Sequence, residues 1–303
     1  MAFSRDDSQM TQSNLAPVRQ FQADHVVIGG RTLGFDEILN DAFFSPAKIA
    51  ELGETFRKNK PFPHLVIDGL FSPALLECIY EEFDLVKKDE LQVYNNMNEK
   101  KLATRPFTRL GNASELYFNT IHSGRFIDFL QQITGIAGLI TDPGLDGGGL
   151  HSIPTGGKFA LHTDFNQHTV TKLENRLIFI TYLNKDWLPS YGGALELWNI
   201  EEEKCEAEVS PLFGRSILFH ESKRSLHGHP KPVEAPNGRP RRSACTAYYT
   251  NGRDDGEDTS FHTTVVYKPR NASRREKIMT AVKYTVPPIV VDGFQKVKAW
   301  WRK

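Results

Sequence analysis

The spacing of apolar positions along this chain changes once, near Gly144. Before that point it is largely helical. Ser45-Pro46-Ala47 reads as an N-cap with proline at the first helical position, opening a helix to about Lys58. Ser72-Pro73-Ala74 opens a second, with Leu76, Ile79, Tyr80 and Phe83 on one face. Residues 114 to 134 carry one or two more, first through Leu116, Phe118 and Ile121, then through Phe126, Phe129, Leu130 and Ile133. Pro61 to Asp68 predicts a short buried strand between the first two helices. After Gly144-Leu145-Asp146-Gly147-Gly148-Gly149, short apolar runs alternate with turns of Gly, Pro, Asn and Asp as far as Thr250. Helices first and strands after predict an α+β fold, with helices packed on one face of a two-sheet sandwich or barrel.

These periods divide the chain into a polar segment 1–20 expected to be disordered, a helical extension with the first strands at 21–143, a β core at 144–270 and a helical tail at 271–303. Residues 84–113, with Tyr94-Asn95-Asn96-Met97-Asn98, Arg105 and Arg109, read as a loop segment over the mouth of the core. In the tail, Val290 to Lys303 mixes aromatic and basic residues. A helix there packs onto the body or, alternatively, lies on an anionic membrane surface.

Composition narrows the function class. Among 303 residues, 37 Lys and Arg balance 37 Asp and Glu, so the basic surplus of a nucleic-acid binder is missing. Cys78, Cys205 and Cys245 are odd in number and far apart, which points away from a disulfide framework and towards a reducing compartment. The first residues lack a charged start followed by an apolar run, and no apolar run reaches the ~18 residues of a membrane span. The expectation is a cytoplasmic protein.

The chemistry concentrates in Leu161-His162-Thr163-Asp164-Phe165 and, sixty-odd residues on, His227. Alternate side chains of a strand point the same way, so His162 and Asp164 share a side. Two histidines and one carboxylate are the set that holds Fe(II) on one face and leaves its other positions open. His229 is the alternative third ligand, whereas His220 is explained by its place at the end of the run Ser216-Ile217-Leu218-Phe219. Zinc is the competing metal, but its structural sites favour cysteine, and none is near in sequence.

With Tyr182-Leu183-Asn184-Lys185-Asp186-Trp187, Gly192-Gly193-Ala194-Leu195-Glu196-Leu197 and Arg241 to Thr250, the series from about Pro61 to Thr250 resembles the Fe(II)/2-oxoglutarate-dependent oxygenases, in particular their prolyl-hydroxylase-like branch. The resemblance implies a double-stranded β-helix, or jelly roll, with His162, Asp164 and His227 as the iron triad. Three open positions suit a bidentate 2-oxo acid and O2. The co-products would be succinate and CO2, and ascorbate is an expected stimulant. The distal carboxylate of 2-oxoglutarate needs a cation deep in the barrel, and arginine pairs with it bidentately. The family pattern of a basic residue, a threonine four later and an aromatic two beyond fits Arg242, Thr246 and Tyr248, joined by Tyr182. An Arg-x-Ser reading selects Arg241 with Ser243 instead; the two differ by one residue and therefore by strand face. Asn166 is a candidate to orient a ligand or to form a turn, Arg176 starts a strand and faces substrate or solvent, and His151, His168, Trp198 and Arg105 are secondary candidates at the mouth or are structural. The expected substrate is a small molecule or biosynthetic intermediate, such as an amino acid, sugar or lipid headgroup. A protein prolyl residue and a non-catalytic cupin-type module are the alternatives.

Overall fold

The computed structural model describes residues 24–257 and 259–267. The polar segment 1–20 and the basic aromatic tail lie outside them. The elements run β1 (His25–Ile28), β2 (Arg31–Gly34), α1 (Pro46–Lys58), β3 (His64–Ile67), α2 (Pro73–Glu82), β4 (Leu91–Asn95), β5 (Lys100–Thr104), α3 (Asn112–Ile121), α4 (Gly124–Thr134) and β6 (Ile140–Thr141). There follow β7 (Gly149–Ile153), β8 (Phe159–Thr163), β9 (Glu174–Tyr182), β10 (Leu195–Asn199), β11 (Lys204–Val209), β12 (Ser216–His220), β13 (Leu226–His229), β14 (Arg241–Thr250) and β15 (Val265–Val266). Among the described residues no helix is long and apolar enough to cross a membrane.

Local chemistry sets the helix boundaries, at α1 as the sequence predicts. The Ser45 side chain accepts from the Lys48 N–H, with Pro46 in the first turn of α1. Ser123 caps α4 in the same way, and Gly135, at φ 75°, ends it in the left-handed region. The segment 84–113 departs from its expected loop character. Its alternating residues form the hairpin β4–β5, closed by an Asn96 side chain that accepts from the Asn98 and Glu99 N–H groups. The hairpin joins the large sheet through β5 against β7. A polar face towards solvent hid this strand pair among loop-like residues.

Two sheets make the core, an α+β double-stranded β-helix. The larger runs β3-β12-β9-β14-β7-β5-β4, and the smaller β11-β10-β13-β8-β15. Strand β9 shows why the larger sheet has two buried faces. Leu177 and Phe179 pack with Tyr117, Phe126 and Phe129 of the helical layer, while Ile178 and Tyr182 pack inwards with Leu195, Leu197 and Phe219. Strand β14 lies beside β9 with Ser243 opposite Tyr182 and Cys245 opposite Ile180. Odd positions of β14 as far as Ala247 therefore face the barrel interior, and even ones face the helices.

Candidate metal and 2-oxo acid site

Strands β8 and β13 pair with His162 directly opposite His227. Each ring is fixed by the carbonyl two residues before it: the His162 Nδ1 lies 2.7 Å from the Ala160 oxygen and the His227 Nδ1 2.7 Å from the Ser225 oxygen. Both Nδ1 atoms carry the proton in that arrangement, which leaves both Nε2 lone pairs free. Asp164, one residue past the end of β8, meets them. Its Oδ1 is 3.3 Å from the His162 Nε2 and its Oδ2 3.6 Å from the His227 Nε2. One ligand atom from each of the three lies within 4.8 Å of the others. Phe159 stacks on the His162 ring at 3.7 Å, and Phe219 flanks His227 at 4.7 Å. This donor set, two imidazoles and one carboxylate converging from one side, fits Fe(II).

Electrostatics keep the donors ready for a metal. Burial pushes the His227 imidazole down to about 4. Burial would raise the Asp164 carboxyl, but His227 and His162 hold it below the usual carboxylate range. Burial likewise lowers His229 well below its ordinary value and His122 to about 4. A histidine depressed on folding takes up protons in the unfolded state first, so stability is lost as pH falls from ~6.5 towards the folded value. Denaturant unfolding of the metal-free protein is therefore expected to give a smaller free energy at pH 5 than at pH 7. A flat or opposite trend would contradict this assignment.

The triad opens into two connected cavities. The inner one is also lined by His151, His229, Arg241, Ser243 and Cys245. The outer one, about 430 Å³, shares Asp164, Lys101, His151 and Phe159 with it and continues past Gln92, Tyr94, Asn96 and Asn98. Lys101 sits at the junction, its Nζ 4.4 Å from the Phe159 ring centre, 4.7 Å from that of Tyr94 and 3.5 Å from the Glu99 carboxylate.

Arg241 is 4 % exposed, and burial pushes its guanidinium below its ordinary pKa. Its Nε donates to the Gly193 carbonyl at 2.7 Å, and its guanidinium lies 4.8 Å from the Tyr182 ring centre. Gly193, at φ 70°, is needed here: a Cβ would stand 2.8 Å from the Arg241 Cδ. Among the described residues no carboxylate pairs with Arg241, and the buried Tyr182 hydroxyl faces its guanidinium without a hydrogen bond of good geometry. An unpaired buried cation beside an orphaned hydroxyl is costly unless an anion completes it. A carboxylate entering the inner cavity satisfies both.

The expectation for Arg242, Thr246 and Tyr248 needs correction. All three stand on the even, helix-facing side of β14. Arg242 donates to the Tyr80 carbonyl at 3.2 Å and pairs with Asp84, its guanidinium against the Tyr80 and Phe83 rings. Thr246 meets the His122 ring at 3.2 Å, and the Tyr248 hydroxyl donates to the Ile121 carbonyl at 2.8 Å. The inner positions are Arg241, Ser243 and Cys245.

The other candidates divide by place. His151 lines both cavities. Asn166 bonds the Ser260 carbonyl and the His262 N–H, and so ties β8 to the segment before β15. Arg176 meets Thr250 and Asp255 away from the triad. His168 contacts Asp142, and Trp198 donates to Glu196. The Arg105 side chain bonds the Asp89 carbonyl. His220 approaches Asp255, 3.6 Å away, and is not part of the triad. Lys101 carried no motif in the sequence; only the alternation of β5 places it on the inner side.

Residues 148–250 match the model of the 2OG-Fe(II) oxygenase superfamily. A search of curated proteins finds no match. Among solved structures, the chain is similar to a prolyl hydroxylase of Trichoplax adhaerens in complex with a hypoxia inducible factor peptide fragment. The TM-score is 0.51 at 16% identity, over 71% of this chain and 95% of that one. A Pseudomonas putida prolyl-4-hydroxylase gives a TM-score of 0.49 at 17% identity, over 66% of this chain and all (100%) of that one. At such identities the likeness is one of fold, and the Trichoplax chain carries it.

Proposed function

We propose that this chain, whose residues 148–250 match the model of the 2OG-Fe(II) oxygenase superfamily, is a hydroxylating dioxygenase that holds Fe(II) with His162, Asp164 and His227 and acts on a small polar molecule or biosynthetic intermediate. The carrying observation is the convergence of the two histidine Nε2 atoms on Asp164 beside a buried cation without a carboxylate. When bound, iron with 2-oxoglutarate and O2 supplies oxidative decarboxylation, to succinate and CO2, coupled to hydroxylation of a C–H bond.

The protein's residues bind and orient. The Ala160 and Ser225 carbonyls aim the two rings, so the triad is set before metal arrives. Arg241 receives the distal carboxylate of 2-oxoglutarate, and the Tyr182 hydroxyl donates to the same group. Phe159 and Phe219 exclude water from the triad's flanks. No side chain is required as an acid or base for C–H hydroxylation.

The outer cavity supports the substrate class. Its volume of about 430 Å³ falls in the ~300–1,000 Å³ range of small-molecule sites. Gln92, Asn96 and Asn98 offer amides, and Tyr94, Phe159 and Phe261 offer flat apolar faces. A peptidyl proline is the second reading, favoured by fold likeness to the Trichoplax enzyme and its bound peptide. Succinate release under 2-oxoglutarate, Fe(II) and O2 is to be screened with amino acids, sugars, headgroup alcohols and proline-containing peptides. Stimulation by a small molecule, with hydroxylated product in equal yield to succinate, is the expected outcome. Stimulation by peptides alone would replace it with the second reading.

A further inference from the structure

His229 is not used by the triad, yet it is built into the same cavity. Strand β13 sends His227 and His229 to one side, and His229 lies opposite Phe159 of β8. The ring is 3 % exposed and lines the inner cavity together with Arg241 and His227. Neither of its nitrogens has a hydrogen-bond partner. Arg241 and the triad residues His162, Asp164 and His227 line the same cavity, so the ring shares one space with the cation and the metal ligands. A neutral imidazole offers one N–H donor and one acceptor. An apolar core has no use for either, and residues of ordinary size would fill the position without leaving polar atoms buried alone.

We propose that His229 is a binding residue for the 2-oxo acid, donating an N–H hydrogen bond to a carboxylate oxygen of the molecule whose distal end Arg241 holds. This rests on the reading of the inner cavity as a 2-oxoglutarate site. The ring then serves as a second recognition element along the ligand, beside the buried arginine. Lys101 and His151, which also line the cavity, are not substitutes: Lys101 is engaged by Glu99, and the His151 Nε2 bonds the Gly148 carbonyl at 3.1 Å.

The test uses the full chain loaded with Mn(II), which permits binding without turnover, and follows 2-oxoglutarate by isothermal titration calorimetry. In His229→Leu the dissociation constant is expected to rise about tenfold or more, the scale of a lost hydrogen bond to a charged group. His229→Gln, which keeps an N–H donor, is expected to recover part of that loss. Mn(II) affinity should be unchanged in both, and metal-free His229→Leu should melt at or above the wild-type temperature because two unpartnered atoms are gone. Binding of 2-oxoglutarate by His229→Leu within twofold of wild type would overturn the inference. So would a lower Mn(II) affinity, which would make His229 a metal ligand, or a marked drop in melting temperature, which would show that the ring has partners in the fold. Failure of the wild type itself to bind 2-oxoglutarate is a different result, and it rejects the oxygenase reading on which this inference rests.

Discussion

Arg241→Met abolishes most 2-oxoglutarate binding, whereas Arg242→Met leaves it unchanged. The two arginines are neighbours in sequence but sit on opposite faces of β14. Arg241 is buried in the inner cavity with no carboxylate among the described residues to pair with it. Removing one partner of a buried charge pair costs about 2–5 kcal/mol, or a factor of roughly thirty to several thousand in affinity. The unliganded protein should be little destabilised, because methionine fills the space without a buried charge to desolvate. Arg242 instead lies outside the cavity, meeting Asp84 and the Tyr80 carbonyl; Asp84 is 72% exposed, whereas the Arg242 side chain is 13% exposed and packs on the Tyr80 and Phe83 rings. The ion pair itself should contribute at most about 1 kcal/mol, and methionine keeps the apolar contact with the two rings. Calorimetric titration of both variants in the Mn(II) form checks this. Equal loss in the two, or loss in Arg242→Met alone, would reverse the assignment.

This pair also shows where sequence reasoning reaches its limit. The helices of the first half were legible because their caps and apolar faces are local properties: Ser45-Pro46 acts within one turn, and Phe126, Phe129, Leu130 and Ile133 mark the buried face of α4. The triad was legible because His-x-Asp fixes two ligands by strand geometry alone. The face of β14 was not. In a half-exposed strand, polar residues mark the outer side. Here both sides are buried, one under Tyr117 and Phe126, the other against Leu197 and Phe219. Hydrophobicity therefore carries no parity signal. The spacing that selected Arg242, Thr246 and Tyr248 is even throughout, so a one-residue error moved all three together. The usable clue was Tyr182: its partner across the ladder is Ser243, which has the parity of Arg241. Lys101 was hidden for another reason. Its strand belongs to the local hairpin with β4, whose polar outer face reads as loop, and it joins the sheet only against β7, some fifty residues on.

Asp164→Ala, and separately His162→Ala, should remove tight metal binding and with it all 2-oxoglutarate turnover. Each residue provides one of three donors, and no fourth His, Cys, Asp or Glu belongs to the cluster among the described residues. Losing even an outer group that orients a ligand typically costs ~10–100-fold in metal affinity, so losing a donor should cost more than about a hundredfold. The Asp164 change bears hardest on geometry, because its two oxygens face the two histidine Nε2 atoms. Without the carboxylate the imidazoles have no anion to balance the metal charge. The fold should persist in both variants, since the apolar clusters that hold the two sheets together stay intact, and loss of metal binding is read on protein whose circular dichroism matches wild type. Mn(II) titration followed by electron paramagnetic resonance reads the loss directly. Retained stoichiometric binding in Asp164→Ala, with His229 or His220 taking its place, would show that the triad is wrongly drawn.

The most direct test of the whole account is succinate formation from 2-oxoglutarate by anaerobically purified protein given Fe(II), ascorbate and O2, beside His162→Ala. Oxygenases of this kind turn over slowly without their prime substrate, so wild type should release succinate and CO2 in equal amounts while the variant releases none. No succinate from wild type, together with no visible absorption on adding 2-oxoglutarate to the Fe(II) form, would contradict it.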